Sequence, residues 1–192
     1  MRRVSIALAF AAVFALGACD DDKTVDIPKP VELTRDDISH FGRMIVEDHK
    51  GPRGQIHLRD RKKPLWFSSV RDTIAFTMLP EESKRVAAIY VNDMGRATWD
   101  RPEPGTWIDA RTAAYVIGSR RRGGMGAPEA VPFGKSEAAA KFAAKFGGRV
   151  VKFGEIPRDY ILGSSPMPGM GKDGKTGMHG HGGKKTNGDM KK

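Results

Sequence analysis

The stretch "EAVPFGKSEAAAKFAAKFGGRVVKFG" (residues 129–154) decides the fold. Its first six residues, "EAVPFG", form a short apolar run that reads as a strand. "KSEAAAKFAAKF" then reads as an Ala-rich helix, ended by Gly147-Gly148. "RVVKFG" closes as another strand. Just upstream, "TAAYVIGS" (112–119) reads as a strand as well. The order is strand–strand–helix–strand.

The same order stands earlier in the chain. "GQIHLRD" (54–60) alternates like a strand, and "KPLWFSS" (63–69) is a second short one. Ser69 is placed to cap a helix, "VRDTIAFTML", with Asp72 at its third position. "RVAAIYVND" (85–93) reads as a buried strand. Phe67-Ser68 precede one helix as Phe133-Gly134 precede the other. The expectation is an α+β fold of two similar strand–strand–helix–strand halves, 34–97 and 98–163.

The two ends differ in character from this core. "MRR" is a basic start, and "VSIALAFAAVFALGA" is an apolar run closing on small residues. That is the pattern of an export signal over residues 1–18, too short for a settled transmembrane helix. "LGAC" ends it, and Cys19 is the only cysteine of the chain. A Leu, two small residues and Cys are what bacterial lipoproteins carry where they are cleaved and acylated. The expectation is a lipid-modified Cys19 at the start of the mature chain. Asp20, next in line, points weakly to retention at the inner membrane. Residues 19–33, charged and with two prolines, read as a tether. After residue 163 the sequence turns to Gly, Lys and Met without period, so 164–192 is expected to be disordered without a ligand.

The formal charge is +10. In a cytoplasmic chain this would suggest nucleic acid; the export signal argues against that partner. Residues 1–18 carry two arginines and no acid, which leaves +8 for the mature chain. Outside the cytoplasm such a surface suits anionic headgroups or an acidic protein. The sequence holds no Gly-rich phosphate loop, no Gly-X-Ser-X-Gly, no His-Glu-X-X-His and no obvious carboxylate dyad. Nothing in it points to catalysis.

Methionine is the remaining signal. A thioether is soft and suits Cu(I), and it carries no proton at neutral pH. With Cys19 acylated, the exported chain has no free thiol, so Met and His are the soft ligands left to it. Met125 stands among three glycines in "GGMGAPE", away from apolar periodicity. Met94 follows a buried strand in "VNDMG". "RMIVEDHKGP" brings Met44 and His49 close in sequence. If that segment is helical, Ile38, Phe41 and Ile45 form its buried stripe, and Met44 at its border serves packing or ligation equally well. His49, before Gly51-Pro52, is expected at an exposed turn. His40 and His57 are weaker candidates, and Met78 is a core residue. The tail gathers Met167, Met170, Met178, His179 and His181. Met-X-X-Met and Met-His-X-His in a Gly-rich chain can wrap a soft ion, although a soluble extension with no function would look the same.

Taken together, these segments resemble the NosL family. "HFGRMIVEDHKGPRGQIHL" (40–58) is similar to a family segment of the form His-Tyr-Cys-X-Met, then Asp/Glu-His-X-Gly-Pro-Lys-Gly-Gln-Ile. "FSSVRDTIAF", "LPEE", "IYVNDMG", "WIDARTAAYVIGS" and "GGMGAPEAVPF" continue the likeness in order over about residues 40–160. The resemblance implies a fold of two similar halves akin to organomercury lyase. It also implies a lipoprotein Cu(I) chaperone for nitrous oxide reductase that docks on a membrane ABC-type maturation complex. By position it carries Met44, His49, Met94 and Met125 over as metal-site candidates. Where many relatives have Cys, this chain has Gly42, so a thiolate ligand is missing. The tail is expected to compensate in part.

The resulting expectation is a periplasmic Cu(I) chaperone held by a lipid anchor, not an enzyme. The rival readings are a copper storage or detoxification lipoprotein, an enzyme on the related lyase fold, and an adaptor that carries no metal.

Overall fold

The computed structural model describes residues 27–163. The expectations placed on the signal segment, on Cys19 and on Met167, Met170, Met178, His179 and His181 lie outside the described residues.

Among the described residues seven strands and three α-helices follow one another as β1 (Gly54–Leu58), β2 (Leu65–Phe67), α1 (Val70–Met78), β3 (Val86–Asn92), β4 (Trp107–Asp109), β5 (Ala114–Ile117), β6 (Val131–Phe133), α2 (Ser136–Phe146), β7 (Arg149–Lys152) and α3 (Arg158–Leu162), with single 3-10 turns at Val46–Asp48 and Phe153–Glu155. They build two antiparallel sheets, ordered β2-β1-β3-β4 and β6-β5-β7. Without β4 the two orders are the same, with a helix inserted between the second and third strands of each. The two expected strand–strand–helix–strand halves are present.

The helices form where local chemistry favours them. Ser69 Oγ accepts a hydrogen bond from Asp72 N at 3.0 Å, capping α1. Lys135, at the same place before α2, gives no side-chain cap. α2 ends at Gly147, whose φ of 76° suits glycine, and its N–H donates to Ala143 O at 2.8 Å. α1 lies so close on β1 that a Cβ at Gly54 would overlap Thr73 Oγ1.

The main core joins the halves. Ile56, Phe67, Ile74, Phe76 and Val91 from the first meet Tyr115, Ile117 and Val151 from the second. Each such side chain contributes about 1.5–3 kcal/mol on burial. On the other face of the second sheet, Val116, Val131 and Phe133 pack on Ala139 of α2, with Met94 and Trp99 at the margin. β5 thus serves two cores through its alternating residues.

Three expectations change. Residues 38–45 are not helical: Ile38 pairs with Ile45 as an antiparallel bridge, and Ser39 pairs with Trp66 at the edge of β2. Ile38 and Phe41 are therefore 43% and 37% exposed, not a buried stripe. Free backbone groups on the edge strand win over helix formation here. The reading of residues 19–33 as a tether also changes for its second part, because residues 28–32 lie on the outer face of the first sheet. Gln55 exchanges two 2.9 Å hydrogen bonds with the backbone of Val31, and Tyr90 OH donates to Pro28 O at 2.7 Å. This cover explains why Gln55 and His57, on the outer face of β1, are buried. Finally, β4 pairs with β3, so the first sheet takes in residues beyond 97. Among the described residues no helix is long and apolar enough to cross a membrane.

Candidate metal centre

The loop after β5 determines what surrounds Met125. Gly126 N donates to Gly123 O at 2.8 Å and Gly123 N to Ala127 O at 3.0 Å, closing a turn with Met125 at its tip. Met125 is 59% exposed. The loop rests on the backbone at His49-Lys50: a Cβ at Gly124 would lie 2.6 Å from Lys50 O and 3.1 Å from His49 Cβ. Only glycine permits this approach, and the approach brings His49 beside the Met125 turn.

His49 is held from its own side. Arg53 Nη2 donates to Glu47 O and His49 O, both at 3.0 Å, and His49 N donates to Val46 O at 3.2 Å. Its ring has no hydrogen-bond partner among the described residues, so either nitrogen, according to the tautomer, is open to a ligand. Burial lowers the Arg53 guanidinium pKa, against the pull of Glu47.

Trp99 connects this junction to Met94. Gly51 N donates to Trp99 O at 2.7 Å, and the indole stacks on Phe142 at 6.2 Å. The Arg121 guanidinium lies 4.4 Å over the Trp99 ring. Met94 packs against the same small core as Trp99. Its backbone is fixed on both sides: Met94 N donates to Pro132 O, and Asp93 Oδ1 accepts from Gly95 N and Gly134 N, each at 2.9 Å.

Met44 stands apart. It is 39% exposed, and its Cε lies over Gly42 at 3.3 Å from where a Cβ there would be. The fold thus brings the turn that bears Met125 onto the His49-Lys50 backbone, packs Met94 on the same small core as Trp99, and leaves Met44 on the 38–45 hairpin. Of the weaker candidates, His40 meets Phe67 and Phe76 edge-on and contacts Glu82 Oε1 at 3.2 Å. His57 Nε2 contacts Gln55 Oε1 at 2.9 Å, and burial lowers its pKa, favouring the neutral ring.

The other flank of the Met125 turn faces a cavity of about 350 Å³, lined also by Arg71, Asp72 and Glu129. Glu129 is fully buried. Its Oε1 accepts from Arg71 N at 2.8 Å and Ala130 N at 2.9 Å. Burial still outweighs these donors and pushes its carboxyl up to about 8. Burial raises Asp72 too, opposed by the Ser69 hydroxyl and by Arg71. Sequence reasoning missed Glu129, Trp99 and Arg121. A charged residue heading the apolar run "EAVPF" was the available signal for Glu129.

Among the described residues no three His, Cys, Asp or Glu side chains come together to hold a metal ion. The thioethers of Met94 and Met125 are soft donors.

A family model described as NosL matches residues 30–161. The copper-binding lipoprotein NosL of Achromobacter cycloclastes is 44% identical over 162 residues, 83% of either chain. That of Stutzerimonas stutzeri is 35% identical over 176 residues, 91% of this chain and 87% of its own. The crystal structure of the copper chaperone NosL from Shewanella denitrificans aligns with a TM-score of 0.64 at 29% identity, covering 68% of this chain and 96% of that one. The family model spans both sheets together with Met44, His49, Met94 and Met125: the chain belongs to the NosL family.

Proposed function

We propose that the chain is a lipid-anchored Cu(I) chaperone on the periplasmic face of a bacterial membrane, supplying copper for the maturation of nitrous oxide reductase. One observation carries this reading: the Gly-rich turn that bears Met125 packs through Gly124 on the backbone of Lys50 and on His49 Cβ, in a family whose named members are copper-binding lipoproteins and a copper chaperone. Met125 and His49 are the primary ligands. Met94 and Met44 join by movement or not at all. Met167, Met170, Met178, His179 and His181 raise the local copper concentration.

The mechanism is ligand exchange. Thioether and neutral imidazole hold the ion in a low-coordinate, solvent-reachable site. An acceptor adds its own ligands before the first set lets go, so copper is never free. Lys50, Arg101 and Arg121 lie around the site, Lys50 paired with Asp100 and Arg101 with Glu47; an acidic docking face, as on a membrane ABC-type maturation complex, would exchange with these acids. The chain binds and releases its cargo without catalysing a reaction. Cys19 supplies the anchor, and Asp20 favours the inner membrane.

The test is genetic and analytical. Deleting the gene should yield nitrous oxide reductase poor in copper, and restoring the chain should refill it. A copper-replete enzyme in the deletion strain, with the cells more sensitive to copper, would support storage or detoxification instead.

A further inference from the structure

We propose that the hairpin at residues 38–45 and the β1–β2 turn form a docking surface for the phosphate headgroups of anionic phospholipid. This surface lays the chain on its own membrane at the β2 edge. The inference rests on the Cys19 anchor proposed above.

A cavity of about 380 Å³ lies between the two segments, lined by Ile38, Ser39, His40, Arg43, Arg61, Pro64, Leu65 and Trp66. Two guanidiniums border it, and no carboxylate does. Ser39 is 1% exposed, and its hydroxyl has no hydrogen-bond partner among the described residues. In the β1–β2 turn, Arg59, Arg61, Lys62 and Lys63 are all exposed, with no acidic partner among the described residues. The nearby acids are engaged: Asp60 with Arg85, Glu82 with His40, and Asp37 with Thr34. Asp36 is the exception.

The same hairpin carries exposed apolar side chains. Ile38, Phe41 and Met44 are three of the seven large apolar residues exposed among the described residues. Apolar side chains ringed by Arg and Lys fit a bilayer interface, where rings and thioethers enter the headgroup layer and cations meet phosphate. Guanidinium groups suit phosphate geometry in particular.

The anchor places this edge within reach. Eight residue steps separate Cys19 from Ile27. They span at most roughly 29 Å. The described chain begins on the outer face of the same sheet, with Pro28 on Tyr90. The fold is therefore held near the surface, with a basic, apolar edge available to it. Docking there leaves the Met125 turn, which packs on His49-Lys50 and not on this hairpin, free for an acceptor.

The test reconstitutes the full lipid-anchored chain in phosphatidylcholine vesicles with and without phosphatidylglycerol, and follows amide hydrogen exchange. Phosphatidylglycerol should slow exchange several-fold over 38–45 and 59–66, leave α2 unchanged, and lose its effect at high salt. Arg61→Gln should abolish the protection. So should Arg43→Gly, which removes a charge from a residue at φ 55°, a backbone glycine adopts without strain; misfolding would not explain that loss. Lys141→Glu on α2 should change nothing. Equal exchange in both vesicles would overturn the proposal. So would protection brought by inorganic phosphate over phosphatidylcholine alone, or protection appearing only with an added protein partner. A chain that phosphatidylcholine vesicles do not retain would refute the anchor; retention by phosphatidylglycerol vesicles alone would then still support the docking surface.

Discussion

At the scale of the residue, a Cβ on Gly124 would lie 2.6 Å from Lys50 O, so Gly124→Ala must lift the loop from His49. The predicted result is Cu(I) affinity weaker by roughly tenfold or more, the size of effect seen when a metal site loses its support. Met125→Leu should weaken binding comparably while the melting temperature hardly moves, because an exposed side chain is worth within about 0.5 kcal/mol. Chelator competition and thermal melts on the same samples separate the two readouts. Glu129 makes a different prediction. Its carboxyl titrates near 8 in the fold, against 4.5 as the ordinary value. Between those values the folded state binds more protons than the unfolded one, so stability is full below about 4.5 and is lost as pH rises through about 8. Glu129→Gln should flatten that fall in melting temperature. The exposure of Met125 was legible in the sequence because a methionine among glycines has no core to pack in. Glu129, Trp99 and Arg121 were not, because their roles depend on partners from other elements: Arg71 is 58 positions from Glu129 in sequence.

At the scale of the element, caps and turns were the readable part. Ser69 and Gly147 act through groups a few residues away, which is why both helix ends were visible in advance. The hairpin at 38–45 and the three-residue β4 were not, because each exists only through a strand partner: Trp66 in one case, β3 in the other. Residues 28–32 are the same case, since their attachment depends on Gln55 and Tyr90. The caps give a paired test. Ser69→Ala should cost about 1 kcal/mol. Lys135→Ser should add a few tenths of a kcal/mol to about 1 kcal/mol, since α2 begins at extended backbone with no side-chain acceptor. Denaturant melts should show opposite shifts of midpoint with unchanged slope.

At the scale of the whole molecule, the duplication could be read because periodicity repeats along the chain, and the two sheet orders match it. How the halves meet could not be read. Their shared core places the loop after β5, from the second half, against His49 of the first. The candidate centre is thus a product of the assembled fold, although its residues lie in segments that are each unremarkable. Copper binding by the fold, with Met167, Met170, Met178, His179 and His181 in a supporting role, is the central proposal. The direct test is an anaerobic Cu(I) competition titration against a coloured chelator, comparing the chain from Asp20 onward with the same chain ending at Ser165. Tight one-to-one binding is expected in both, weakened by roughly tenfold or more with Met125→Leu in either. Binding that disappears with residues 166–192 and ignores Met125 would contradict it and make the tail the copper site.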